Sequence, residues 1–516
     1  MQKLPLGIQT FSEIIEENYL YVDKTEEVYN LISSGKVFFL SRPRRFGKSL
    51  LVSTLDAIFS GKKELFNGLY IKEKSDWNWD TYPVIKLEFT KVEVQGPDDF
   101  RRYVGGAIND YAKQYNIKLE KESFEQRFGE LVQKLSKQHN KVVFLVDEYD
   151  KPILTHITDT EMLGEIKKVM NAFYGVVKSL DEYLKFVFIT GVSKFAKISV
   201  FSGMNNLTDI SLDERYATLI GITQKELEDN FQEGVKECAD KFEISEQALL
   251  DKVKYWYNGY YFSEKKIGIY NPYSLVHFFN RQKFENFWYT SATPTFLIDL
   301  LKKNKYNLAK VNGTQLDATA FAPTEPEDMA IEPLFLQTGY LTIKDYNTED
   351  NLYTIDFPNF EVKSSFLNSI VTQYAHTGPG RTLPLIYKIR NAFKENDTER
   401  VFELMKIFFA DIPNTVVLNY EKYYQSLFYA ILNLLGYEID VEISTNIGRI
   451  DCTIKTDSHI YIIEFKLNGS AQDALDQIQE KKYAEKYLED KREKILIGIE
   501  FSQDERNIKD MMSITN

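Results

Sequence analysis

Cysteine is nearly absent: Cys238 and Cys452 stand far apart in a chain of 516 residues. That scarcity speaks against a disulfide framework and against a cysteine-built metal site. Missing too is any apolar run long enough to span a bilayer. The opening stretch, MQKLPLGIQTFSEIIEENYL, lacks the apolar core of a signal peptide. These absences predict a cytoplasmic chain with no membrane partner. No internal repeat and no low-complexity tract is present. Nor is there an excess of positive charge: 63 Lys and Arg stand against 76 Asp and Glu, a net charge of −13. A polyanionic partner would therefore have to meet a local basic patch.

What is present is ordinary globular material, 43% hydrophobic and 27% charged, in a chain longer than one core usually serves. Two or three domains are expected. Over residues 1–221 the short runs KVFFL, VIKLEF, KVVFLV and KFVFIT alternate with helical patterns, which predicts an α/β domain with a parallel sheet buried on both faces. Residues 222–400 mix helical stretches with aromatic-rich loops such as YWYNGYYF. They also carry a hairpin pattern, GYLTIKDYNTEDNLYTIDF, so this middle region reads as helical and winged-helix-like. Residues 401–516 read helix, three strands, helix, strand, with TGPGRTLP before them as the linker candidate.

The run FFLSRPRRFGKSLLVSTL resembles a phosphate-binding loop in which Arg42 occupies the place of the first glycine. The strand KVFFL precedes it and an amphipathic helix follows, which is the context such a loop needs. Backbone N–H groups at a helix start attract an anion. Arg44, Arg45, Gly47, Lys48 and Ser49 are therefore candidate nucleotide-binding residues, with Lys48 reaching terminal phosphates and the Ser49 hydroxyl a Mg²⁺ ligand. A basic loop before a surface helix is the plainer alternative. The second half of the pair is KVVFLVDEYD, an apolar strand ending in Asp147 and Glu148. It places two carboxylates at the sheet edge where open α/β sheets bind ligands. Asp147 would hold Mg²⁺ and Glu148 would orient an attacking water as base. Thr190, at the tip of KFVFIT, is a candidate sensor of the terminal phosphate.

A second chemistry is written near the C-terminus. In GRIDCTIKTDSHIYIIEFK, Asp451 and Glu464 lie on successive strands, and Lys466 shares a face with Glu464. Two carboxylates and the Phe465 carbonyl make a hard-oxygen site suited to Mg²⁺. Lys466 would steady charge on a phosphodiester. A surface hairpin with a Glu/Lys pair is the bland alternative, but Glu464 interrupts an apolar run, where a carboxylate is costly without a cation. A helix with Glu421 near its start precedes these strands. A helix expected from Ala471 to Lys494 follows them, with Gln477 and Lys481 one turn apart. Its nearly balanced charge reads as a solvated face. The aromatic run YWYNGYYF reads as core more readily than as a base-stacking surface.

The segments LPLGIQTFSEIIEENYLYVDKT, RPRRFGKSLL, FLVDEYDKPI and ITGVSKFAKISVFSGMNNLTDIS resemble the AAA-ATPase-like domain of bacterial proteins that carry a C-terminal PD-(D/E)xK nuclease domain. The resemblance implies a P-loop ATPase fold followed by a restriction-endonuclease-like α/β domain, with ATP and Mg²⁺ as cofactors. It implies that Arg42 is usual at its position. It also implies that Glu421, Asp451, Glu464 and Lys466 are catalytic, with Gln477 accessory, although RID stands where the superfamily name writes Pro-Asp. The implied function is an ATP-controlled, Mg²⁺-dependent nuclease, acting on DNA ahead of RNA, in defence against phage or mobile elements; a homo-oligomer is compatible with it. Two other functions are compatible with the sequence: a nucleotide-switched signalling or scaffold ATPase whose nuclease-like domain only binds, and a winged-helix DNA-binding regulator. Intact acidic residues at both sites favour the first, and the overall acidity counts against the third.

Overall fold

A computed structural model describes the chain apart from residues 1, 158, 195–199, 291–294, 309–310, 312, 322–329, 376–381, 413–420, 445–448, 468, 503, 506 and 516. It divides into two compact units. The first comprises Met1–Ala292 with Gln315–Glu361, and the second Thr293–Thr314 with Val362–Asn516. The segment 222–400 is thus shared between the two. Most of the TGPGRTLP stretch lies outside the described residues.

The first unit is built on a parallel sheet. Its strands are β1 (Val37–Ser41), β2 (Val84–Glu88), β3 (Val142–Asp147), β4 (Leu184–Gly191) and β5 (Thr208–Asp209), in the order β2-β3-β4-β1-β5. Every residue of β1 and β3 is buried, which is why these runs are apolar without alternation. Helices such as Pro97–Gln114, Phe124–Gln138 and Thr160–Ser179 turn their apolar stripes inward, burying Phe100, Phe128 and Phe173. The four apolar runs of the sequence are the four long strands. The fifth strand has two residues, too short to leave a period.

The order has a consequence for chemistry. β4 lies between β1, which leads into the phosphate-binding loop, and β3, which ends in Asp147. All strands run the same way, so both ends and the tip of β4 meet at one edge. Beyond the sheet, β6 (Ile222–Thr223) pairs with β7 (Ile269–Tyr270). Helices between and after them close a second core around Phe231, Leu249, Tyr257 and Phe278. The YWYNGYYF run joins the interior at Tyr257, Tyr260 and Phe262, while Tyr255 is exposed. A three-stranded sheet follows in the order β8-β10-β9, with β8 (Thr314–Asp317), β9 (Thr342–Asn347) and β10 (Leu352–Asp356). The last two form the expected antiparallel hairpin.

The second unit carries a mixed sheet of β11 (Glu438–Ser444), β12 (Arg449–Lys455), β13 (His459–Leu467), β14 (Glu493–Ser502) and β15 (Asn507–Thr515), paired in that order. Only β13 and β14 run parallel. The helix Ala471–Glu480 crosses between them and packs Leu475 and Ile478 on Ile460, Ile462 and Leu496. The helix expected to reach Lys494 stops at Glu480. Lys482 turns left-handed (φ 48°), and a short 3₁₀ turn buries Tyr483 and Tyr487 before β14 begins. Two tyrosines that had read as part of a solvated helix are core. β15 is one strand more than the pattern predicted.

Candidate functional sites in the two units

The first site is built on the β1 edge. β1 ends at Ser41, the loop follows, and Gly47, left-handed at φ 94°, starts the helix Lys48–Phe59. That conformation is open to glycine at little cost. No side chain caps the helix start, so its first-turn N–H groups remain available to an anion. The Lys48 ammonium is buried and donates to the carbonyls of Arg42 and Pro43, each at 3.0 Å. Burial holds its pKa below the usual lysine range, against the pull of Glu148, Asp147 and Asp150. Arg42 proves to be a structural pin. Its guanidinium is 2% exposed, donates to the carbonyls of Ser41, Ser211 and Tyr216, and lies 4.1 Å from the centre of the Phe262 ring. Burial lowers its pKa to about 9. The Arg44 and Arg45 side chains are exposed, with Arg45 over the Tyr273 ring.

At the end of β3, Asp147 is 3% exposed, and its Oδ1 is buried without a hydrogen-bond partner. Burial raises its pKa, opposed by the Ser49 hydroxyl and by Lys48. A buried carboxylate oxygen facing a serine hydroxyl is a hard-oxygen pair that fits Mg²⁺. Glu148 follows, half-buried, with φ 53°. A non-glycine residue in the left-handed region costs about 1–3 kcal/mol and tends to mark a functional position. Ser49 and Asp147 open onto a polar cavity of about 310 Å³ shared with Lys86 and Glu88. Beside Phe46, Gly47 and Leu51 lies an apolar cavity of about 120 Å³, walled by Leu20, Val22 and Ile220. Its walls are pinned by Lys24, whose ammonium donates to Thr218 O at 2.9 Å and to Glu226 at 2.6 Å.

The Thr190 side chain is fully buried, and its hydroxyl donates to Leu40 O at 3.0 Å, binding β4 to β1. Asp150, which the sequence reading did not single out, organises the tip of β4. Its carboxylate accepts from Val192 N, Ser193 N and the Ser193 hydroxyl, the last two at 2.7 Å. The only sequence signal was a third acid in DEYD.

The second site lies on β12 and β13. Asp451 accepts from Phe465 N at 2.9 Å, which sets it beside Glu464. Glu464 is 3% exposed, and burial, then the Asp451 charge, pushes its pKa up to about 8 against the pull of Lys466. Gln477 bridges the pair: its amide nitrogen donates to Glu464 Oε1, and its oxygen accepts from the Lys466 ammonium. Glu464 Oε2 is buried and unpartnered, which again fits a hard cation. Gln477 reaches this position because Gly498 lets its helix approach. A Cβ there would stand 2.1 Å from Ala471 O. Glu421 opens the helix Glu421–Leu434, and its side chain lies outside the described residues.

One site is therefore a phosphate loop with a strand-end carboxylate pair, and the other a hairpin carboxylate pair with a lysine. These are the features of an ATPase domain and a nuclease domain. A family model described as a predicted AAA-ATPase matches residues 5–201, and one for the PD-(D/E)XK nuclease superfamily matches residues 419–511. The protein described as an uncharacterized protein in the vnfD 5′ region of Azotobacter chroococcum mcd 1 is 36% identical over 521 positions, covering 98% of each chain. Among solved structures, the Aeropyrum pernix Orc1 protein in complex with DNA is similar with a TM-score of 0.25 at 10% identity, over 70% of this chain and 97% of that one. The chain belongs to the family that joins a predicted AAA-ATPase domain to a C-terminal PD-(D/E)XK nuclease superfamily domain. Among the described residues no helix is long and apolar enough to cross a membrane.

Proposed function

We propose that the first unit binds and hydrolyses ATP, and that this nucleotide cycle controls phosphodiester cleavage by the second unit, with DNA as substrate. One observation carries the reading. Each unit holds a buried carboxylate with an oxygen lacking a partner beside a lysine: Asp147 by Lys48, and Glu464 by Lys466. Unpaired buried carboxylate oxygens are costly, and a cation is the partner that relieves the cost.

In the first site the nucleobase occupies the apolar cavity beside Phe46 and Leu51, and the phosphates lie along the loop toward Lys48. Ser49 and Asp147 hold Mg²⁺, which offsets phosphate charge when bound. Glu148 takes the proton of the attacking water as the bond between the γ-phosphorus and its bridging oxygen breaks. In the second site Asp451, Glu464 and the Phe465 carbonyl hold the cation. Lys466, oriented by Gln477, steadies the charge that develops as water displaces one ester oxygen from phosphorus.

Purified full-length protein with Mg²⁺, with and without ATP, on single- and double-stranded DNA and RNA tests the reading. DNA cleavage is expected from the wild type and none from Glu464→Ala. Nucleic acid bound but never cut would leave the second unit a binding module.

A further inference from the structure

Glu361 is a buried acid that neither site uses. It is 1% exposed, at the start of the helix Phe360–Ala375, and such a charge needs hydrogen-bond donors to be tolerated. Its carboxylate accepts from the backbone N–H of Trp288 at 2.7 Å. Trp288 is itself 1% exposed, packs against the Tyr340 ring, and donates its indole N–H to the carbonyl of Arg44 at 3.0 Å. That carbonyl lies within the phosphate loop. It also accepts from Asn271 Nδ2 at 3.3 Å, while Asn271 Oδ1 accepts from Tyr273 N at 2.9 Å. The acceptor role of Oδ1 fixes which end of the amide faces the loop.

A trans peptide points its C=O and the following N–H to opposite sides. Two donors on the Arg44 carbonyl therefore set the direction of the Arg45 N–H. Arg45 has φ 68°, a left-handed conformation that persists in a non-glycine residue only when its surroundings hold it. We propose that Trp288, seated on Glu361 and assisted by Asn271, is a positioning residue for the nucleotide: it draws the Arg44 carbonyl outward and thereby aims the Arg45 N–H at the bound phosphates. The inference rests on the reading that this loop binds ATP.

The test uses the full chain. Trp288→Phe keeps a ring against Tyr340 and loses the indole N–H together with part of the buried ring volume. By calorimetry its ATP affinity should fall about tenfold, the scale of one misdirected hydrogen bond to a charged group. Adding ATP should change the tryptophan emission of the wild type and not that of this variant; a wild-type change that persists in the variant comes from another tryptophan and counts against the tether. Glu361→Ala should weaken ATP binding, and the double variant should bind no more weakly than the weaker single one, because both act through one carbonyl. If Trp288→Phe melts far below the wild type, Glu361→Gln carries the test, with a fall of about threefold supporting the proposal and unchanged affinity overturning it. ATP affinity and emission response unaltered in Trp288→Phe, while Lys48→Ala binds no ATP, would overturn the tether and leave the loop assignment standing. Unaltered affinity in Lys48→Ala would overturn both.

Discussion

Arg42 shows why a motif read letter by letter can mislead. At the position of a loop glycine the sequence offers the bulkiest cation, and the structure buries it as a pin between β1 and the Ser211–Tyr216 segment. Arg42→Ala would strip three interior carbonyls of its hydrogen bonds and leave a void. The expected loss is about 2–4 kcal/mol of unfolding free energy, measured by urea denaturation. Glu361 makes a prediction with pH. Burial raises its folded-state pKa to about 7 from an ordinary 4.5, so the folded unit keeps a proton that the unfolded chain releases. Its contribution to stability is therefore full below about 4.5 and is lost as pH rises through about 7, a swing of about 3 kcal/mol. Glu361→Gln cannot ionise. Its unfolding free energy should fall less than that of the wild type between pH 5 and pH 8, and equal slopes would show that the carboxyl is ionised throughout.

At the scale of the element, legibility followed period and length. The four apolar runs of the first sheet and the hairpin that places Asp451 beside Glu464 were readable because burial leaves a pattern in consecutive residues. The candidates Asp147 and Glu148 stood out because they follow the buried run of β3, and Lys48 and Ser49 because they open the helix that the β1 loop leads into. Contacts made across the chain were not readable. Asn271 and Trp288 reach Arg44 from 227 and 244 residues away, and nothing in the loop announces them. The helix end at Glu480 was missed because Lys481 and Lys482 are adequate helix formers, and only the burial of Tyr483 and Tyr487 forces the turn. Gly498 belongs here as well. Its lack of a side chain lets the Ala471–Glu480 helix approach β14, and the helix carries Gln477. Gly498→Ala should displace that helix and lower cleavage at least about tenfold, with helical circular dichroism retained. If it cuts at the wild-type rate, the position of Gln477 does not matter to the chemistry.

At the scale of the whole molecule, two enzyme-class domains on one chain raise the question of control. A nuclease free to act endangers the cell that makes it, and a nucleotide switch is a physical means of restraint. ATP can shift the balance between active and inactive arrangements only if it binds one better than the other; equal affinity shifts nothing however tight the binding. Glu148→Gln should separate binding from hydrolysis, since it removes the proposed base and leaves Lys48, Ser49 and Asp147 in place. With ATP it should hold the protein at one end of the switch. Its cleavage rate should then differ, in either direction, from that of the same variant without nucleotide, and wild type turning over ATP should lie between. A tenfold difference in rate would require about 1.4 kcal/mol of differential affinity, a modest demand on a loop held by several hydrogen bonds. The measurement is cleavage by wild type and Glu148→Gln with ATP, with ADP and with neither. Equal rates throughout would mean that the two domains share a chain and no switch.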